Sequence, residues 1–530
     1  MRPRFYLLIF ALLSIVAFPA RAQDNRLLTT DDWAYTYIQR LQRRGLLLQL
    51  DPTALPYTTG AVRAALSTLK RRDLTDAERR WAALLEHAFS RRRPDRRELL
   101  VGGSLEAGLN ATNNDRLDPL RYTDSSHAAL QAGAIRFFPN VTGSFYFEKG
   151  PVVAQYGLRN DFFYDSDPDG LDAANRLYVR SQDAYVGYNS RFVSAYLGRF
   201  RNHWGVYGQA AVLISDNPLS YDQLSLRIGG RRLALYSILG ELDSATEDGQ
   251  FTGRMGDLPP DERSLGIRRF VAAHRLTWRP TRNFLLSFME STLYSSPGAG
   301  FSLKYLNPLH NFAFEVDNTP KNDENNGFIA GLLWAYARPV TITGQLLIDD
   351  LDVMRQTGEP GSIGITGSIT YAGVMPSIDA GLSVTAITAR TYNTGQPEGK
   401  YLYMLRGLAT QFSDYLLASV YADVYLDRAL PGLTISPCLD LLWQGSQDIR
   451  NPFPPLDGPT AFILNDPVGR TIRPAVRLRY QRDPHWWVRL DSGFNFNSGE
   501  GARDRSVRPV ALLTVGARLS FARPYRLNFR

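Results

Sequence analysis

The chain has 530 residues, 44% of them hydrophobic and 21% charged, with one cysteine and a formal net charge of +8. A single cysteine excludes an intrachain disulfide, so stability must come from packing or from a closed sheet. Beyond the first residues no stretch approaches roughly 18 consecutive apolar side chains, which excludes a transmembrane helix and leaves strands as the only route across a membrane.

Residues 1–22 read as an export signal. Arg2 and Arg4 precede an apolar run from Phe5 to Phe18, and Ala20-Arg21-Ala22 supplies the small residues that signal peptidase needs before Gln23. The run is about 14 residues, short of the roughly 20 that span a bilayer as a helix. Residues 23–98 hold 15 basic and 10 acidic side chains while the chain beyond them is balanced, so the basic excess of the mature protein sits wholly in its N-terminal segment. That excess reads as a solvated helical face, or as attraction to anionic headgroups or an acidic partner; nothing in it points to nucleic acid. The segment 23–97 has a helical period. Thr30 is placed to cap a helix carrying Trp33, Tyr37 and Leu41, with Gly45 as its stop; Ala61 to Leu69 forms a second; the capping box Thr75-Asp76-Ala77-Glu78 opens a third with Trp81, Leu84, Leu85 and Phe89 on one face. Three short amphipathic helices bury little alone, so they are expected to pack on something larger as a periplasmic domain, with 91–97 as the linker.

After Glu98 the period changes to two. Val476, Leu478 and Tyr480 alternate with Arg477, Arg479 and Gln481, and Trp486, Val488, Leu490, Phe494 and Phe496 alternate with Arg489, Asp491 and Asn495. Alternation alone suits a soluble sandwich as well as a barrel. Connection lengths separate the two. Short turns are expected at Phe138-Pro139-Asn140, Asn189-Ser190, Gly229-Gly230, 279–282, Arg338-Pro339, Met375-Pro376, Ser413-Asp414 and Asp483-Pro484. Long ones are expected at 110–124, 164–175, 202–221, 240–264, 295–325, 351–361, 389–401 and 497–507. Long and short alternate, as in a membrane barrel with short periplasmic turns and long outer loops. Candidate strands of about 10 to 13 residues match a tilted bilayer crossing. Phe137, Phe138, Trp278, Phe284, Tyr336, Trp486 and Trp487 crowd the short turns as an interfacial girdle. The stretch Thr514 to Phe521 resembles the terminal-strand signal of outer-membrane barrels, and Pro524 is expected to end the ladder, leaving 523–530 as a short tail. Periodicity gives about 20 strands if 141–163 is one bulged strand and 457–465 is counted, or about 18 without two weak candidates. The predicted fold is thus mainly β: a transmembrane antiparallel barrel over 98–522, of about 18 strands within a range of 16–20, behind a small N-terminal α-helical domain.

Two loops are unusually apolar, Ala210 to Ile214 within 202–221 and much of Phe301 to Val316 within 295–325. Such loops are expected to fold back on the barrel mouth and occlude it. His203, Ser215 and Asp216 are the residue types of a hydrolase triad, yet all three lie on one short loop. The histidines at 87, 127, 203, 274, 310 and 485 lack metal spacing. Asp165 to Gly170 copies the start of a calcium loop, with Arg176 where the bidentate Glu is needed. Gly205 and Gly208 lack the frame of a phosphate loop. No catalytic residue, metal or cofactor is therefore expected. Trp204 and Tyr207 offer flat faces for sugar rings, and Arg199, Arg201 and Lys304 offer cations for acidic substituents; with His203 and Tyr305 they are the candidate ligand-binding residues.

GRFRNHWG followed by LISDNPLSYDQLSLR, FVAAHRLTWRPTRNFLLSFMES leading to KYLNPL, and Gln345 to Asp350 together resemble the Wzi-like capsule-assembly proteins of the outer membrane. Where that family often has Trp-Gly-Pro-Gly, this chain has Trp204-Gly205-Val206-Tyr207-Gly208. The resemblance implies an 18-stranded barrel, a helical bundle on the periplasmic side, outer loops that close the lumen, and a lectin-like, non-enzymatic role in holding capsular or other exported polysaccharide at the cell surface. The implied partners are that polymer, outer-membrane lipid and the barrel-assembly machinery, with the barrel a monomer. The rival reading is a porin for sugars or other small solutes.

Overall fold

The computed structural model describes residues 24–70, 73–89, 98–114, 134–167, 179–245, 251–252, 267–296, 302–312, 324–350, 361–395, 397–450, 453, 461–499 and 506–526. The expected signal segment, the linker 91–97 and most of the calcium-like stretch with Arg176 lie outside them.

Alternation beyond residue 98 becomes strands β1 (Glu98–Thr112), β2 (Arg136–Lys149), β3 (Val152–Asp161), β4 (Val179–Asn189), β5 (Val193–Phe200) and β6 (Tyr221–Gly229). They continue as β7 (Leu233–Glu241), β8 (Arg268–Thr281), β9 (Phe284–Ser296), β10 (Glu324–Ala337), β11 (Val340–Asp350) and β12 (Ser362–Met375). The last are β13 (Ile378–Ile387), β14 (Tyr415–Tyr425), β15 (Leu433–Gln444), β16 (Gly469–Asp483), β17 (Trp486–Gly499) and β18 (Ser506–Arg526). Each pairs antiparallel with the next, and β1 pairs with β18 from Glu98↔Arg526 to Thr112↔Leu512, which closes an 18-stranded barrel. Closure leaves no edge strand to solvate in the bilayer.

The alternation sorts side chains by face. On β16, Thr471, Arg473 and Ala475 are buried in the lumen while Ile472 and Val476 are exposed on the outer wall with Leu105, Phe145, Ile369, Val420 and Phe494. Inside, Asp440 takes Arg477 at 2.9 Å and Arg473 at 3.7 Å, and Asp491 takes the other face of Arg473. Turned outward, one such arginine would cost about 2–4 kcal/mol at the bilayer midplane.

Connections alternate by length as expected. One end carries 150–151, 190–192, 230–232, 282–283, 338–339, 376–377, 426–432 and 484–485; the other carries the long ones, the shortest being 500–505. Four details differ from the sequence expectation. Phe138-Pro139-Asn140 lies within β2, Pro139 facing Leu109, and the turn is at Gly150-Pro151, so 141–163 is two strands. Ser413-Asp414 is not a turn but the end of one long connection, 388–414. Residues 461–465 form no strand and belong to the connection 445–468. The last strand runs past Pro524, opposite Leu100, to Arg526. Proline is tolerated there because β17 begins opposite Ala517, so beyond it β18 has a partner on one side only.

The N-terminal helices are α1 (Ala34–Arg43), α2 (Thr59–Leu66) and α3 (Asp76–Phe89). Asp32, not Thr30, accepts the Ala34 amide at 2.9 Å, Gly45 takes φ +81° at the stop of α1, and Thr75 N–H donates to Glu78 at 2.8 Å in the expected capping box. Ile38, Leu41, Val62, Trp81 and Leu85 form their shared core, and Tyr425 of the barrel wall joins it. The unit sits within the short-turn half of the lumen. Arg44 meets Asp379 at 2.6 Å, Arg43 meets Asp423 at 3.5 Å, Arg80 meets Asp427, and Arg518 meets Asp32. Three arginines of the basic segment thus find acidic partners on the barrel, Asp379, Asp423 and Asp427.

Above the helices the lumen is filled by chain. Trp204, Val212, Leu213 and Ile214 of 201–220 pack with Tyr392, Tyr401, Leu402 and Leu408 of 388–414 against wall residues Leu285, Met289, Trp334 and Leu347. The second apolar loop behaves otherwise. Its described part, 302–312 with the short helix α4 (Leu303–Leu306), does not close the mouth: Tyr305 and Phe312 pack on Leu239, Phe270, Ala272 and Tyr294. On β8 the lumen core takes Val271 and Ala273, so Phe270, Ala272 and His274 face outward, and the segment is a strap on the outer wall. The reason is chemical. His274 and Glu290 pair at 3.1 Å on that outward face, and the strap covers them: the His310 carbonyl lies 3.1 Å from His274 Nδ1, and the Phe312 amide donates to Glu290 at 3.1 Å. A bare ionisable pair facing lipid is costly. Glu290→Ala is expected to loosen the strap by about 1–3 kcal/mol, the cost of stranding its buried partners. Faster hydrogen exchange at the Phe312 amide, with the barrel otherwise protected, is the readout.

Candidate functional site

The loop 201–220 enters the lumen after β5 and is fixed at both ends. His203 and Leu55 exchange main-chain hydrogen bonds at 3.0 Å, tying the loop to the N-terminal unit, and the Trp204 amide donates to the Ile214 carbonyl at 2.8 Å, folding the loop on itself. Arg201 pairs with Asp31 at 2.6 Å, and Tyr207 stacks on Tyr35 with ring centres 5.3 Å apart. Partial desolvation by the surrounding chain pushes the Asp31 carboxyl, itself part-exposed, upward, but Arg201 and Arg159 outweigh it and hold the group well below the ordinary range. A carboxylate depressed by folding stabilises the fold above its unfolded pKa and loses that contribution as pH falls through and below about 4. Loosening of this loop is therefore expected only below about pH 4, followed by fluorescence of the buried Trp204, and Arg201→Ala is expected to weaken the dependence, Arg159 remaining.

The triad residue types do not make a triad. His203 Nδ1 lies 2.9 Å from Asp216, but its Nε2 lies 3.2 Å from the Val206 carbonyl, and the Ser215 hydroxyl donates to the carbonyls of Leu408 and Ala409. Serine and histidine thus point at main chain, and both are buried.

The seven candidate ligand residues fall in three places. Arg201, His203, Trp204 and Tyr207 are inside the barrel, where Trp204 is 2% exposed and serves as a packing staple. Arg199 alternates with inward Tyr196 and Phe200, faces outward, and pairs with Asp222 across the β5–β6 ladder. Lys304 and Tyr305 lie on the outer-wall strap, Tyr305 stacked on Tyr294 at 3.9 Å. The structure does not gather them into one site.

What stands at the long-loop end is a surface that sequence reading divided between a loop and a strand. In 388–414 the ribbon Leu402–Tyr403 with Arg406–Gly407 turns through Met404 and Leu405, both in the left-handed region with φ +50° and +63°. Two-residue turns of that kind favour Asn and Gly, so these side chains hold a strained backbone. Contacts maintain it: the Met404 amide donates to Asp243 at 3.1 Å, and Arg180 reaches the Met404 sulfur at 3.3 Å. The neighbouring residues 445–450 and Phe453 zip on through Asn393 to the Asp448 carbonyl, 3.3 Å, and Arg390 over the Phe453 ring, 5.2 Å. Gln411, Gln447, Asp448, Arg450 and Phe453 are left half-exposed: amides, a carboxylate, a guanidinium and an aromatic ring together. Within the run TARTYNTGQPEGKYLYMLRG the tyrosines are core, and Thr388, Arg390, Thr391, Asn393 and Lys400 are buried with them, so the run carries no composition signal for the rim. No group of metal-ligating side chains occurs among the described residues.

No family model matches the chain, and no curated protein matches it. Among solved structures, Escherichia coli Wzi, an outer-membrane protein involved in group 1 capsule assembly and a carbohydrate-binding β-barrel, superposes with a TM-score of 0.60 at 11% identity, covering 93% of this chain and 99% of that one. The fold is that of Wzi. Pseudomonas aeruginosa OccK1 (OpdK) and OprD follow with TM-scores of 0.44 and 0.45, at 12% and 10% identity, over 80% and 79% of this chain and 99% and 95% of theirs. This chain is therefore a closed 18-stranded β-barrel of the Wzi fold, in which an N-terminal helical unit and two loops fill the lumen.

Proposed function

We propose that this protein is a sealed outer-membrane barrel that binds exported capsular or other polysaccharide at the cell surface and holds it there without a covalent step. The observation that carries this reading is the filled lumen: Ala211, Val212 and Leu213 are fully buried among aromatic side chains above a helical unit tied to the inner wall by ion pairs. A diffusion pore needs water along its axis, whereas this interior is packed as a protein core. In this reading the short turns and helices face the periplasm, the long loops face outward, and the barrel stands alone as a monomer inserted by the barrel-assembly machinery. The polymer meets the half-exposed rim of 404–406, Gln411, 447–448, Arg450 and Phe453, where Gln411 and Gln447 offer hydrogen bonds, Phe453 a ring face and Arg450, paired with Asp448 at 3.2 Å, a cation for acidic sugars. The carbohydrate-binding character of Wzi supports the assignment.

Deleting the gene tests it. Polymer synthesis is expected to continue while the polymer is shed into the medium, and reconstituted protein is expected to show no sustained current in planar bilayers. Retained polymer together with steady open currents would replace this reading by the sugar porin.

A further inference from the structure

The arginines of this barrel divide into two populations. Those in the lumen, such as Arg473 and Arg477 of the wall and Arg43, Arg44 and Arg80 of the helical unit, pair with wall carboxylates. Those on the short turns do not. Arg191, Arg231, Arg232, Arg282, Arg338 and Arg428 are exposed on five of the eight short connections, and none forms an ion pair among the described residues. They are spread around the circumference, from the β4–β5 hairpin through β6–β7, β8–β9 and β10–β11 to β14–β15. Beside them are exposed apolar side chains: Phe192 next to Arg191, with the guanidinium 4.9 Å from the ring centre, Leu233 next to Arg232, Trp278 below Arg282, Ile342 below Arg338 and Leu430 after Arg428. Each cation thus stands at the edge of the apolar band, where hydrocarbon gives way to headgroups.

We infer that this ring binds the anionic phosphodiester headgroups of the bilayer leaflet at the short-turn end, phosphatidylglycerol in preference to zwitterionic lipid. A guanidinium matches a phosphate in a bidentate geometry, and a cation near an anionic leaflet gains about fivefold in binding. An acidic protein docking end-on is the other occupant to consider, but the apolar partner beside each arginine favours lipid: those side chains point at acyl chains, and an end-on protein would leave them unused. The inference rests on the chain crossing a bilayer and is independent of polymer binding.

The test uses the full-length protein in nanodiscs carrying spin-labelled phosphatidylglycerol or spin-labelled phosphatidylcholine. Wild type is expected to prefer the anionic label by roughly fivefold, since each arginine meets its own headgroup, with the preference falling as salt is raised. The variant with all six arginines replaced by Gln is expected to lose the preference while keeping the mobility shift of a folded, heat-modifiable barrel; three single variants, Arg191→Gln, Arg282→Gln and Arg338→Gln, guard against misfolding and should each lose a part. Equal association of the two labels with wild type, or a preference unchanged in a folded variant, would overturn the inference. So would capture of an acidic protein that depends on these arginines in the absence of any lipid preference. Loss of polymer retention in the cell bears on the proposed function alone.

Discussion

Replacing Asp379 with alanine is expected to weaken the hold of the N-terminal unit on the barrel by roughly two to four orders of magnitude. Asp379 is fully buried and receives three donors: Arg44 at 2.6 Å, the Tyr425 hydroxyl at 2.7 Å and the Gly373 amide at 2.7 Å. Removing the carboxylate leaves the Arg44 guanidinium charged, buried and without its closest partner, with Glu78 at 3.6 Å the nearest remaining acid. Stranding one member of a buried pair costs about 3–5 kcal/mol, more than the pair contributes when intact. The measurement is made after trypsin cleavage in the arginine-rich stretch 91–97: the rate at which the N-terminal fragment leaves the barrel should rise steeply. Asp379→Ala combined with Arg44→Met should restore much of the loss, because the double variant strands no charge. A fragment that stays bound in the single variant would show that the other ion pairs and the apolar core alone hold the plug.

Arg269→Met is expected to open the long-loop half of the lumen and to give a conductance that the parent lacks. Arg269 is fully buried on β8 and donates to the carbonyls of Glu398 at 2.8 Å, Leu402 at 3.2 Å and Lys400, with Asp243 at 3.4 Å. One guanidinium thus satisfies the main chain of the 388–414 loop just where it makes its ribbon. Methionine matches the side chain in length but donates nothing, so three carbonyls and a carboxylate lose their partner at about 1–3 kcal/mol each. The strained turn at Met404 and Leu405 then keeps only its contacts with Asp243 and Arg180 and should relax. Intermittent currents in planar bilayers, absent from wild type, are the expected readout; a silent variant would place the seal in the 201–220 loop and the helices instead.

Much of the barrel was legible without coordinates, because period-two alternation and the parity of connection lengths are both imposed locally by a bilayer on one side and a polar lumen on the other. Arg477 could be assigned to the lumen from cost alone. The three helices and the capping box at Thr75 were legible for a similar reason, since caps and apolar stripes are short-range signals. Errors fell where a segment is covered on both faces. The run from Tyr401 to Phe412 alternates like a strand and ends at a plausible turn, yet it lies inside the barrel with Leu402, Leu408 and Ala409 all buried. Pro524 read as a terminator because its effect depends on whether β17 reaches that far, which is a property of the neighbour and not of the residue.

The functional residues were the least legible. Trp204 and Tyr207 have the types expected of a sugar site, and the same flat faces make them good staples between two layers of a plug; type and spacing cannot separate these roles. The strap was missed for a related reason. An apolar loop seeks any apolar surface, and only the outward direction of Phe270, His274 and Glu290 shows that it found the outer wall and not the mouth. By itself the sequence determined that the chain makes a closed, bilayer-spanning sheet with a helical unit before it, since those features follow from local periodicity and solvent. Tertiary structure alone decided what fills the barrel, and which arginines are paired and which stand exposed, because those depend on contacts between residues hundreds of positions apart, as with Arg44 and Asp379.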